Sequence, residues 1–250
     1  TARQHIEGDI TIEEAKQLID SYYQAKTVRA DIADRTEEAD KVSARIAEIL
    51  SEKTFSFSPV EYMAIHRRLF EGIYKFAGKI RDYNITKKEW VLNGETVLYA
   101  SAGSIRETLD YDFEQEKKFS YKDLNINDAI THIAKFISGI WQIHAFGEGN
   151  TRTTAVFTIK FLRTFGFDIS NDSFADHSWY FRNALVRANY NNLSKGIYAT
   201  TEYIEAFFRN LILSEQNELK NRTMLVQERP AHDIQSATVP HDNISKCNIY

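Results

Sequence analysis

Cysteine is nearly absent from this chain. Cys247 stands alone, so no intramolecular disulfide can form and a disulfide-stapled scaffold is excluded. Proline is scarce too: of three in 250 residues, Pro230 and Pro240 fall in the last thirty, which leaves the preceding stretch open to long helices. No run approaches the roughly 18 to 20 apolar residues of a membrane span, and the opening TARQHIEGDI lacks the charged-then-apolar order of a secretory signal. One-sided charge is also missing. The 31 basic and 35 acidic residues are well mixed and leave a net charge of −4, too little field to gather nucleic acid or anionic lipid. The expectation is a soluble protein with neither nucleic-acid nor membrane partners. A lone thiol is compatible with a reducing compartment, and Thr1 in place of Met suggests a chain cut from a longer one.

Apolar residues are plentiful at 43%, with 16 Phe and 13 Tyr, enough to offset the ordering entropy of most of the chain. Their spacing is helical almost throughout. Thr11 and Glu14 form a capping box ahead of a helix over about Ile12 to Lys26. Ser58, Pro59 and Glu61 occupy cap, first and third positions before Met63, Ile65, Leu69 and Phe70. Similar periodicity predicts helices over Glu37–Leu50, Ile105–Lys118, Asp128–Ile143, Asn150–Phe165, Trp179–Asn189 and Thr201–Leu219, about eight in all. The segment 84–100 breaks the rhythm: Asn93-Gly94 between Trp90–Leu92 and Thr96–Tyr99 predicts a β-hairpin with a type I′ turn. From Asn221 the helical period is lost. The expected organisation is an N-terminal helical extension over 1–52, a main domain over 53–220 and an extended tail over 221–250.

The chemistry concentrates in residues 143–155, I-H-A-F-G-E-G-N-T-R-T-T-A, a short loop between two apolar helical patterns. Gly147 and Gly149 open backbone conformations closed to other residues, and Asn150, Thr151 and Arg152 begin the next helix. Free amides at a helix start, backed by Arg152, make an anion site suited to phosphate. Glu148 adds a carboxylate of the kind that holds Mg²⁺ beside phosphates. His144, at the end of the preceding helix, can take a proton from a hydroxyl near neutral pH. Each feature alone is commonplace, but base, metal carboxylate and anion nest fall here within nine residues.

HAFGEGNTRTT resembles the signature of the Fic family, H-P-F-x-(D/E)-G-N-(G/K)-R-x-x-R, and IHRRLFEGIYKFAGKIRDYNITK is similar to the family's helix leading into a flap. The resemblance spans roughly Val60 to Asn210. It implies an all-α Fic-type helical domain with a β-hairpin flap, and a protein adenylyltransferase moving AMP from ATP to a Tyr, Thr or Ser hydroxyl of a target protein. By position, His144 becomes the base, Glu148 the Mg²⁺ ligand and Phe146 a buried anchor. Gly147, Gly149, Asn150 and Thr151 hold the phosphates, and Arg152 neutralises the diphosphate. The resemblance also implies bacterial, toxin-like company: a target docked as an added strand on the hairpin at 84–100, room for an antitoxin-like regulator, and action in the cytoplasm or, after translocation, in a host cell.

Three departures qualify this. Ala145 replaces the usual Pro, Thr151 the usual Gly, and Ala155 stands where the family's second Arg would hold the γ-phosphate. The last keeps two alternatives open, a Doc-like kinase and a nucleotide-binding Fic domain without turnover. Inhibitory motifs of the family end in Glu-Gly or Glu-Asn. Glu218, in Ser214–Glu218 ahead of Leu219, and Glu7, in His5–Gly8, are the two candidates for an inhibitory carboxylate. His66 and His132 are expected to pack helices, and Trp141, Trp179, Phe207 and Phe208 to lie in the core. Tyr180 and the run Asn189–Asn192 fall where the family contacts adenosine.

Overall fold

The computed structural model describes residues 11–12 and 31–226. The predicted Ile12–Lys26 helix, the Glu7 motif, Cys247 and the tail beyond Val226 lie outside the described residues or nearly so. Within residues 31–226 eight α-helices follow one another: α1 (Asp31–Ser51), α2 (Pro59–Phe70), α3 (Ile105–Lys118), α4 (Ile126–Ile143), α5 (Asn150–Thr164), α6 (Asp172–Asp176), α7 (Ser178–Ala188) and α8 (Glu202–Leu213). Capping chemistry sets their starts. The Ser58 hydroxyl accepts from the Glu61 amide at 3.1 Å with Pro59 in the first turn of α2, and Asn125 does the same for Asp128 at 3.0 Å at the head of α4.

Two central helices carry the core. α4 turns Ile130, Ile133, Ala134, Ile137, Ile140 and Trp141 inward, all within 3% of full burial, and packs against α3, α5, α7 and α8. α5 is buried on nearly every side from Thr153 to Leu162, as expected of a helix enclosed by α1, α2 and α4. The Phe57, Phe113, Phe157 and Phe161 rings pack edge-on and tilted between them. Tyr62, fully buried, satisfies its hydroxyl on Thr154 at 2.9 Å.

Among the described residues there is no strand, and the expected hairpin does not form. Its turn does: Asn93 (φ 54°) and Gly94 (φ 88°) are both left-handed, and the Glu95 amide donates to the Leu92 carbonyl at 3.1 Å. What differs is the flank. Successive strand residues face opposite sides, yet Val91 and Leu92 are both completely buried. A 3-10 turn over Trp90–Leu92 achieves this, and Glu89 pairs across the base of the loop with Glu95 in place of a ladder. A lone two-stranded ladder would be marginal in any case.

Two further boundaries differ. The last helix stops at Leu213, where Ser214 turns left-handed (φ 55°), not at Leu219. Asn221–Met224 form a 3-10 turn that buries Met224, and the Val226 amide reaches the Val91 carbonyl at 2.9 Å.

Candidate functional site

The α4–α5 loop is held from three directions. His144 ends α4 in the left-handed region (φ 50°, ψ 56°), a conformation that strains a residue with a Cβ. The buried guanidinium of Arg81 secures it by donating to the carbonyls of His144 (2.8 Å), Ile143 (3.3 Å), Tyr83 (2.6 Å) and Ala100 (2.5 Å). Asn150 closes the loop on itself: its side-chain oxygen accepts from the Phe146 amide at 3.0 Å and its NH₂ donates to the Phe146 carbonyl at 2.7 Å. His66 supports the far side. Its Nδ1 accepts from the Gly78 amide at 2.8 Å, which places the proton on Nε2 for donation to the Glu148 carbonyl at 3.0 Å, and its ring lies 3.7 Å above Phe146. Burial lowers the His66 pKa to about 4, so it performs this role as the neutral imidazole.

A cavity of about 350 Å³ opens over this loop, lined by His144, by Glu148 through Arg152, and by Lys87, Ser178, Trp179 and Arg182. The His144 ring is 4% exposed, packed between Tyr99 and Trp141, and neither ring nitrogen has a hydrogen-bond partner. Burial first, then the charges of Lys87 and Arg81, press its pKa down to about 3. The imidazole is therefore neutral at ordinary pH, with its lone pair available. Glu148 extends its carboxylate into solvent, 62% exposed, and meets Lys87 Nζ at 3.1 Å. Among the described residues no group of three or more His, Cys, Asp or Glu is placed to hold a metal. As the single exposed carboxylate at the cavity, Glu148 could serve a divalent cation only alongside ligands from elsewhere, not as part of a cage built of protein groups.

Residues 56–162 match the family model for the Fic/DOC family. The chain carries a Fic/DOC family domain. A probable protein adenylyltransferase of Sinorhizobium fredii is 26% identical over 178 residues, covering 64% of this chain and 81% of the relative. The fold is that of solved Fic domains from Bartonella. The N-terminal Fic domain of a putative cell filamentation protein of Bartonella quintana, with bound ADP, superposes with a TM-score of 0.59 at 18% identity, covering 74% of this chain and 87% of the other. BepC from Bartonella tribocorum, with bound AMPPNP, gives 0.58 at 17% identity over 74% and 88%.

Within the Fic domain, the motif residues are distributed unevenly. Gly147 does not line the cavity; a Cβ there would lie 2.6 Å from the Tyr83 hydroxyl and 3.4 Å from the Phe76 ring. The Thr151 hydroxyl is tied back to Trp141 Nε1 at 3.0 Å. Arg152 lines the cavity but donates to Glu38 Oε1 at 2.6 Å and to the Tyr74 hydroxyl at 3.2 Å, with its guanidinium 4.7 Å from the centre of the Phe70 ring. Ala155 packs against the core. Glu218 is outside the cavity, 70% exposed and paired with Lys220 at 2.5 Å, on a segment that is not helical. Tyr180 is buried and donates to the Tyr203 carbonyl, whereas Trp179, expected in the core, is 51% exposed at the cavity wall. Arg81, Lys87, Trp179 and Arg182 carry no signal in the loop motif; they reach the site from elements distant in sequence. No helix among the described residues is long and apolar enough to cross a membrane.

Proposed function

We propose that this chain is a protein adenylyltransferase, moving AMP from ATP to a Tyr, Thr or Ser hydroxyl of a target protein with His144 as the base. One observation carries the reading: a buried, neutral imidazole with both nitrogens free faces a cavity whose floor is the start of α5. The first amides of α5 and its dipole favour polyphosphate there, and Arg152 supplies a fixed positive charge. His144 accepts the proton of the target hydroxyl as that oxygen bonds to the α-phosphorus and pyrophosphate leaves. Glu148 would hold Mg²⁺, which when bound neutralises charge on the phosphates. The 26%-identical relative named an adenylyltransferase and the nucleotide-bound neighbours support the nucleotide as substrate.

A kinase of the Doc type is the second reading, favoured by Ala155, which leaves this turn of α5 without a cation for the terminal phosphate. Incubation of the chain and a lysate with ATP labelled at the α- or the γ-phosphate separates the two. Transfer of α-label, abolished by His144→Ala, is the expected result; label carried over only from the γ position makes the chain a kinase. Binding of ATP without either transfer leaves a Fic domain that binds but does not turn over.

A further inference from the structure

Three cations border the cavity, and each already has a carboxylate partner: Arg182 with Glu89, Arg152 with Glu38, and Lys87 with Glu148. The pairs differ in how readily they can be exchanged. Glu89 is completely buried and held by both guanidinium nitrogens of Arg182 (2.7 and 3.0 Å) and by the Tyr99 hydroxyl at 3.0 Å. Removing Arg182 from it would strand a buried charge, a severe penalty. Arg152 has three anchors in Glu38, Tyr74 and the face of Phe70, and Glu38 is only 27% exposed. Lys87 has one, the side chain of Glu148, which is 62% exposed, and so open an ion pair is worth little.

Lys87 precedes the Trp90–Leu92 turn, lines the same cavity as the start of α5 and is close enough to His144 to depress its pKa. At position 155 α5 offers no cation, since Ala155 is a partly buried residue packed against the core. Resting on the nucleotide reading above, we propose that Lys87 is a nucleotide-binding residue of this chain, exchanging the Glu148 carboxylate for a phosphate oxygen and supplying from outside α5 the positive charge that position 155 lacks. A polyphosphate outcompetes Glu148 because it brings several charges to an ammonium that a single exposed carboxylate holds. The freed carboxylate then faces the same phosphates, where a divalent cation would bridge them.

A double-mutant cycle distinguishes this role from that of a surface ion pair, read by calorimetric titration with ATP and with adenosine in EDTA. If Lys87 served only to neutralise Glu148, Lys87→Met would change nothing once Glu148→Gln had removed the partner. The expected result is a further loss of roughly tenfold in ATP affinity for Lys87→Met in the Glu148→Gln background, with adenosine affinity unchanged and Lys87→Arg within about twofold of Lys87. Equal ATP affinity of Glu148→Gln and the double variant overturns the assignment while leaving the nucleotide reading intact. An equal loss for adenosine also overturns it, because the defect is then collapse of the segment. Absence of ATP binding by the unsubstituted chain removes both the nucleotide reading and the role of Lys87.

Discussion

Gly149 shows how tightly the loop is specified by single residues. Its φ is +83°, and a Cβ there would lie 2.4 Å from the Phe70 ring, which itself carries Arg152 on its face. Left-handed strain and the clash act together, so Gly149→Ala should destabilise the fold by more than about 2 kcal/mol in urea unfolding and disturb Arg152 as well. A loss under about 0.5 kcal/mol would mean that Phe70 swings away freely. At this scale the sequence exposes what is contiguous. His144 and Glu148 through Arg152 line one cavity because they lie within nine residues spanning the α4–α5 loop and the first turn of α5. Arg81 is invisible in the same way that His66 is: its role is to hold main-chain carbonyls, which leaves no side-chain pattern to detect. Trp179 misleads for the opposite reason, since an aromatic at helical spacing looks the same whether its face meets the core or a ligand cavity.

Helices are the most legible elements, since caps and a 3.6-residue period are local properties; the Ser58–Glu61 start of α2 is an instance. The 84–100 segment was harder because Asn93-Gly94 determines only the turn. Whether its flanks become strands depends on which side Val91 and Leu92 must bury, and that is decided by distant residues: Arg182, which pairs with Glu89, and Val226, which bonds to Val91. The end of α1 depends on distant residues in a similar manner. Lys160, buried on α5, donates to the carbonyls of Ile49 (3.0 Å) and Glu52 (3.1 Å), while Arg163 reaches Leu50 at 2.6 Å. Burial lowers the Lys160 pKa, and the carbonyls compensate the ammonium. Lys160→Met should therefore cost about 1 to 3 kcal/mol in chemical denaturation with helical circular dichroism retained. An unchanged midpoint would show that water caps α1 equally well.

For the molecule as a whole, two depressed imidazoles predict how stability follows pH. His66 and His144 titrate near 4 and 3 in the folded chain against an ordinary value of about 6.5. The unfolded chain thus takes up protons first as pH falls, so their contribution is complete above about 6.5 and drains away toward pH 4 and then 3. The urea midpoint should hold steady above pH 7 and fall below 6.5, less steeply in His144→Ala. Identical pH slopes for the two proteins would mean that the His144 ring is accessible to water. Architecture at this scale was readable because helix content and a specific loop motif agree; the packing of residues 221–226 was not, since loss of helical period looks alike in a free tail and in a docked one.

That docking bears on where the chain can be cut. Val226 bonds to Val91 at one end while its carbonyl accepts from the Asn93 side chain at 3.0 Å, so residues 221–226 clamp the turn that follows Glu89, the partner of the cavity-lining Arg182. A truncation drawn at the end of the family match, or at Leu213, would keep every motif residue and still uncover Val91, Leu92 and the buried Glu89 behind them. Such a fragment would carry the whole signature on a scaffold with the cover of that turn removed.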